Sequence, residues 1–202
     1  MRIGVLALQG DFAEHIHAFR GTPWNGALEP VEVRLPEQLQ TVDGLVIPGG
    51  ESTTIGKLMK AYELLEPVRE RVRSGMPVLG TCAGAILLAK DIGGLDQPLI
   101  GCMDITMRRN AFGRQLDSFE TELAFPVLGT DPLPAVFIRA PIIEEVGPGV
   151  DVLARLPDGA IVAAAQRNML AVCFHSELTR DHRLHRYFAA MVQRAAATET
   201  RA

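Results

Sequence analysis

Cys82 stands at the centre of Gly80-Thr81-Cys82-Ala83-Gly84, directly after the apolar Val78-Leu79 and directly before a helical pattern. A strand that turns sharply into a helix through small residues presents its central side chain above the sheet edge, the layout of a nucleophile elbow. A thiol so placed faces the positive end of the helix, which favours the thiolate needed to attack a carbonyl. The five residues alone fit a second reading, since glycines around a small buried cysteine also occur where strand and helix merely pack closely.

A thiol nucleophile needs a base, and the base needs a group to orient it. His175 and Glu177 supply both types in Met169-Leu170-Ala171-Val172-Cys173-Phe174-His175-Ser176-Glu177, where an apolar run reads as a buried strand over 169–175. In an extended chain the i, i+2 spacing points both side chains to one side. His175 is far from Cys82 in sequence, so the two can meet only at the carboxyl edge of a parallel sheet, where open α/β sheets place their sites. By itself a His-x-Glu at a strand end also describes a surface pair. Together with the elbow it reads as a Cys-His-Glu triad.

Gly49-Gly50-Glu51-Ser52-Thr53-Thr54 follows the run Gly44-Leu45-Val46-Ile47 and precedes a helix, another loop at the same edge. A tetrahedral intermediate needs preorganised N–H donors, and the backbones of Gly50 and Ala83 would supply two. The same glycines also describe a tight turn into a helix capped by Ser52 or Thr53, and both readings can hold together. A phosphate loop is disfavoured, because Glu51 places an acid where phosphate would sit and no Gly-x-x-x-x-Gly-Lys pattern is present.

The elements that must position these groups alternate as in a doubly wound sheet. Strands are expected at 2–8, 31–35, 44–47 and 76–80, with helices at 11–20, 54–63, 66–74 and 83–90. The second half is richer in strands, at 100–108, 119–125, 135–139, 150–156, 159–165 and 169–175, before an amphipathic helix at 181–196. Residues 21–26 read as an exposed loop and 197–202 as a frayed end.

At 202 residues and 48% hydrophobic content, the chain suits a single domain over 1–202 with one good core. Net charge is −4 with pI about 5.7 and no basic cluster, which argues against nucleic acid and anionic membranes as partners. The sequence opens on a strand rather than a signal peptide and contains no spanning segment, so a cytoplasmic location is expected. Three scattered cysteines argue against a disulfide framework; Cys102 and Cys173 read as ordinary core thiols. His182 and His185 share a helix face but lack a third ligand, so they read as solvated or packing histidines and no metal or other cofactor is expected. His15 and His17, near the start of the first helix, could touch a partner.

Several blocks, in this order, resemble the glutaminase subunit of pyridoxal 5'-phosphate synthase, within the class I glutamine amidotransferases. They are Leu8-Gln9-Gly10-Asp11 with Phe12-Ala13-Glu14-His15, Pro48 to Leu58, Gly80 to Gly84, Met103 to Thr106, Arg109 to Glu120, and Phe137 to Pro141. The Arg109 to Glu120 block separates the chain from other amidotransferases. The resemblance implies a flavodoxin-like three-layer α/β sandwich with a mostly parallel central sheet and extra antiparallel strands in the second half. It implies hydrolysis of L-glutamine to glutamate and ammonia, the ammonia passing through a tunnel to a separate synthase subunit in a large hetero-oligomer. That partner makes pyridoxal 5'-phosphate from a pentose phosphate and a triose phosphate.

Carried over by position, Cys82 is the nucleophile, His175 its base and Glu177 the orienting acid. Gly50, Glu51 and Ser52 hold glutamine together with Arg109, Ile138 and Arg139. An arginine fork matches the substrate's α-carboxylate. Read without the resemblance, Arg109 is a solvated strand-end charge and Arg139 a structural ion pair. The family usually has proline where this chain has Ser176, a change that can loosen Glu177, so tuning rather than loss of activity is expected, and the loop at 21–26 is longer than usual. Two other functions fit parts of the pattern: a stand-alone cysteine hydrolase or thiol sensor using the same elbow, and a docking subunit without chemistry.

Overall fold

A computed structural model describes residues 1–109, 111 and 118–199. Short apolar runs form its strands: β1 (Arg2–Leu6), β2 (Glu29–Val33), β3 (Gly44–Ile47), β4 (Val78–Thr81) and β12 (Met169–Val172). They lie side by side in the order β2-β1-β3-β4-β12, all parallel. The runs of β3, β4 and β12 are buried along their whole length, the unbroken pattern that strands covered on both faces require. The intervening helices are α1 (Phe12–Gly21), α2 (Pro36–Leu39), α3 (Ser52–Ala61), α4 (Leu65–Arg73) and α5 (Ala83–Leu88), with α6 (Arg183–Glu199) at the end. Helix α1 packs on α6, and α3 on α4 and α5.

Beyond β12 the sheet turns antiparallel. β11 (Ile161–Gln166) pairs with β12, with β10 (Asp151–Arg155) and with β9 (Ile142–Val146), which in turn pairs with β6 (Met103–Arg108). β5 (Ala89–Asp91) closes the edge, parallel to β6. The expected α/β architecture is therefore present, a mostly parallel half continued by antiparallel strands, around one contiguous hydrophobic core.

Several expectations need correction. β5 and β9 and the short α2 were not foreseen: Ala-Lys-Asp is too short for a period, two glutamates interrupt β9, and α2 is a single turn opened by Pro36. The runs at 119–125 and 135–139 form β7 (Ser118–Leu123) and β8 (Leu133–Ile138), a hairpin that pairs with itself rather than joining the main ladder. The last strand stops at Val172, short of residue 175, while α6 continues to Glu199 through residues expected to fray. In the loop at 21–26, Thr22 is buried and its hydroxyl donates to the Ala18 carbonyl, so the segment is anchored at its start. Cys173 is buried as expected, but Cys102 is only partly so.

Among the described residues no helix is long and apolar enough to cross a membrane.

Candidate active site

The parallel strands end together, Ile47 beside Gly80 and Thr81 beside Val172, so the loops that follow them share one edge. Cys82 sits there at φ 48° and ψ −103°, a left-handed backbone that costs a non-glycine residue about 1–3 kcal/mol. Its N–H is pinned to the Val172 carbonyl at 2.8 Å, and α5 begins at the next residue. Gly84 is needed because a Cβ there would lie 2.0 Å from the Ile47 carbonyl oxygen, so only glycine lets α5 start this close to β3. The elbow is thus real, and its thiol is 7% exposed.

His175 lies past the end of β12, tied by its N–H to the Val136 carbonyl at 2.8 Å. Glu177 lies in a single 3-10 turn, Ser176–Leu178. The two side chains do meet, but through this turn and not through an extended strand as their spacing suggested. His175 Nδ1 is 2.7 Å from Glu177 Oε1 and 3.2 Å from Asp11 Oδ2. One Nδ1–H shared between two carboxylates leaves Nε2 as the nitrogen that can take the Cys82 proton. Burial works against the charged imidazole, yet hydrogen bonding to Asp11, Cys82 and Glu177 outweighs it and pushes the His175 pKa up to about 12. Glu177 is itself raised, chiefly by burial and against its bond to His175. The imidazolium is therefore the favoured form of His175. Donor atoms of Asp11, His175 and Glu177 all lie within 4.8 Å of one another, close enough to hold a metal ion, but the hydrogen bonds within the set already account for the cluster.

Gly49 passes directly over the base: a Cβ there would lie 2.3 Å from His175 Cε1. The Gly50 backbone follows at φ 147°, and the Glu51 N–H donates to Gln9 Oε1 at 2.8 Å. The cap of α3 is Glu51, whose carboxylate accepts from the Thr54 N–H at 2.9 Å; the expected caps, Ser52 and Thr53, instead donate to Gln97 Oε1. The same Glu51 pairs with Arg109 Nη2 at 2.9 Å. Burial raises its pKa, but the Thr54 N–H, the Arg109 charge and the side-chain hydrogen bonds of both together hold it below the usual carboxylate range.

A pocket of about 140 Å³ opens on the elbow. Gly50, Glu51, Ser52, Arg109, Ile138 and Arg139 all line it with Cys82 and Ala83, so every residue expected to hold substrate reaches one cavity. The β7–β8 hairpin delivers Ile138 and Arg139, the latter at φ 44°. Of the block Arg109 to Glu120, the structure describes Arg109, Ala111 and Ser118 to Glu120; Asn110 and 112–117 lie outside the described residues. Grooves of about 700 Å³ beside Arg180 and about 870 Å³ beside Lys57 are larger, but neither is lined by a cysteine. A pocket below the usual range for drug-sized ligands, roughly 300–1,000 Å³, suits a small substrate.

Five contributors escaped the sequence reading. Asp11 follows β1 and so belongs to the same edge, a signal that could have been used. Gln97 accepts from Arg109 Nη1 at 3.3 Å, and Gln9 holds the Glu51 amide. His15, for which the sequence left partner contact open, is wholly buried behind the triad, whereas His17 is exposed. His185 is buried beside His15, and His182 packs edge-on to it.

Two predictions arise here. Ser176 does not loosen the acid: the Glu177 side chain is fully buried and bonded. The serine instead buries a hydroxyl with no hydrogen-bond partner among the described residues. It opens the 3-10 turn after an extended His175, a position where proline fits. Ser176→Pro should therefore stabilise the fold by about 1 kcal/mol, raising the melting temperature by about 2–4 °C. A lower melting temperature would contradict this.

The second concerns acid. Burial, with the charge of neighbouring His182, lowers the His185 pKa to about 3; burial, with His185 and His175, lowers that of His15 well below normal. Below their unfolded pKa near 6.5 the unfolded chain takes these protons and the native state does not, so stability falls with pH until the folded pKa is reached. His185→Phe should flatten that fall by about 1.4 kcal/mol per pH unit between about pH 5.5 and 4, read by urea unfolding. An unchanged slope would show that His185 is not held neutral.

Residues 5–194 match the SNO glutamine amidotransferase family. A relative from Roseiflexus sp. (strain RS-1), named pyridoxal 5'-phosphate synthase subunit PdxT, is 58% identical over 195 residues, covering 95% of this chain and 100% of the relative. One of the same name from Carboxydothermus hydrogenoformans is 56% identical over 192 residues, covering 95% and 98%. A solved structure described as a glutamine amidotransferase superposes with TM-score 0.87 at 49% identity, covering 95% of this chain and 98% of that one. A putative GMP synthase subunit from Thermoplasma acidophilum shares the fold, with TM-score 0.67 at 16% identity over 99% of this chain and 98% of that one. With its elbow cysteine, its paired His175 and Glu177, and these relatives along nearly its whole length, the chain belongs to the SNO glutamine amidotransferase family.

Proposed function

We propose that residues 1–202 act as one glutaminase unit that hydrolyses L-glutamine and hands the ammonia to a pyridoxal 5'-phosphate synthase subunit in the cytoplasm. The observation that carries the reading is the strained Cys82 facing a small pocket that also holds Arg109 and Arg139, with a base oriented beside it.

Cys82 Sγ attacks the carboxamide carbon as the thiolate, its proton already held on His175 Nε2. The developing oxyanion is met by the N–H groups of Ala83 and Gly50. The imidazolium, stabilised by Glu177 and Asp11, returns its proton to the amide nitrogen; the C–N bond breaks and ammonia leaves a thioester. Water, deprotonated by the same Nε2, opens the thioester to glutamate and free thiol. Arg109 and Arg139 suit the α-carboxylate and Glu51 the α-ammonium, with Ser52 and Ile138 shaping the wall.

Coupling to a partner is supported by the names of the relatives, which are synthase subunits, and by chemistry, because uncoupled hydrolysis would lose ammonia to solvent. The test is glutamate release by the purified chain, alone and mixed with the cognate synthase subunit. Release raised at least about tenfold by the partner is expected. No release in either condition, with folded protein and bound partner, would overturn the reading in favour of a docking-only subunit or a thiol sensor.

A further inference from the structure

Behind the triad, four buried side chains from four different elements form a chain of polar contacts. His15 of α1 places Nε2 3.0 Å from Thr81 Oγ1 at the end of β4 and 3.5 Å from Glu177 Oε2. Its Nδ1 lies 3.0 Å from Nε2 of His185 in the first turn of α6, whose ring meets the Phe19 ring edge-on. Glu177 spends Oε1 on His175, and its Oε2 is buried with no other hydrogen-bond partner among the described residues.

Two nitrogens 3.0 Å apart share one proton, so the pair has two arrangements. If His15 Nδ1 donated, His185 would be left with a buried N–H on Nδ1, which has no partner. The bare His15 Nε2 would then face a carboxylate oxygen, acceptor against acceptor. If His185 Nε2–H donates, His15 carries its proton on Nε2, bonded to Thr81 Oγ1 and 3.5 Å from Glu177 Oε2, and the Thr81 hydroxyl is the donor left to find an acceptor. A fixed ring N–H without a partner together with a bare nitrogen facing a buried carboxylate costs more than one rotatable hydroxyl, so the second arrangement holds. Burial keeps both rings neutral, which excludes a doubly protonated alternative.

We propose that His15 is a positioning residue for glutamine hydrolysis: its Nε2–H, held in one tautomer by His185 and bonded to Thr81, lies 3.5 Å from the far oxygen of Glu177 and steadies that carboxylate by charge–dipole attraction so that the near oxygen holds His175. The inference rests on the glutaminase reading. A carboxylate that must stay fixed and ionised while His175 gains and loses a proton needs a favourable neighbour beside each oxygen, as outer partners of ligating histidines and carboxylates illustrate.

The test measures glutamate release in the complex with the synthase subunit. His15→Leu should lower kcat about tenfold, the lower end of what such outer partners contribute, with KM within about twofold. His15→Gln, whose amide can still donate to Glu177, should stay within about threefold of wild type. In a Glu177→Gln background the His15→Leu loss should shrink below about twofold, because the anchored carboxylate is already gone. A purely structural role would give the same loss in both backgrounds and no rescue by glutamine, and either result overturns the proposal. So does an unchanged kcat in His15→Leu. Should His15→Leu not fold, His185→Phe, which removes the donor that fixes the tautomer, is expected to cost about threefold under the same comparison. Wild-type turnover separates the two claims: a silent wild type overturns the glutaminase reading, whereas an active wild type with an indifferent His15→Leu overturns this proposal alone.

Discussion

Cys82→Ala abolishes glutamine hydrolysis, lowering glutamate release by at least about 10⁴-fold, because no neighbouring group replaces the nucleophile. Cys173, which directly follows the neighbouring strand β12, is wholly buried and held as a thiol, its pKa raised well above normal by burial and by Cys82. The loss should be confined to chemistry. Alanine keeps a Cβ on the same strained backbone and the α5 start is unchanged, so folding and partner binding should match wild type. Ammonium salts added to the complex should therefore restore product formation on the synthase side with the alanine variant present. Residual glutamine-dependent release above about one part in 10³ would contradict Cys82 as nucleophile.

Glu177→Gln should be the next largest effect, lowering kcat about 10²- to 10³-fold with little change in KM. The amide either turns its NH₂ toward His175, forcing the proton onto Nε2 and removing the base, or loses the charge that stabilises the imidazolium. Removal of the orienting carboxylate in a serine triad costs about 10⁴-fold through the wrong tautomer. A smaller figure is expected here because Asp11 Oδ2, 3.2 Å from the same Nδ1, partly substitutes. Asp11→Asn alone should then be mild, and the pair Asp11→Asn, Glu177→Gln should fall about tenfold below Glu177→Gln. Simple multiplication of the two single effects would show that the carboxylates do not back each other up.

The chemistry of this site was legible in the sequence because its central parts are local. Gly80 to Gly84 encodes the elbow in five consecutive residues, and Gly84 is there because α5 touches β3. His175 and Glu177 were legible as a pair but for an inexact reason: residue type and nearness carried the inference, while the turn at Ser176–Leu178 supplied the geometry. Arg109, Ile138 and Arg139 were legible only through resemblance, since nothing local says that the β7–β8 hairpin bends back over the elbow. That hairpin is tied back by the bridge from Val136 to His175, by Phe137 packing on Phe174 and by Arg183 donating to the Asp131 and Pro132 carbonyls, long-range contacts without a sequence period. Asp11, Gln97 and the His15–His185 pair were missed because polar residues on short loops and helix faces are ordinarily solvated. Only the packing of α1 on α6 buries those histidines. In the fold, the buried parallel strands announced themselves as apolar runs, whereas β5 and β9 exist because neighbours complete their ladders.

The most direct measurement of the central claim uses glutamine labelled with ¹⁵N at the carboxamide, given to the assembled complex in the presence of excess unlabelled ammonium. If Cys82 releases ammonia that passes directly to the synthase subunit, the pyridoxal 5'-phosphate formed carries the label well above its share of the mixed ammonia pool, and Cys82→Ala removes it. Product labelled only in proportion to free ammonia, or not labelled at all while the unlabelled product accumulates, would contradict the account.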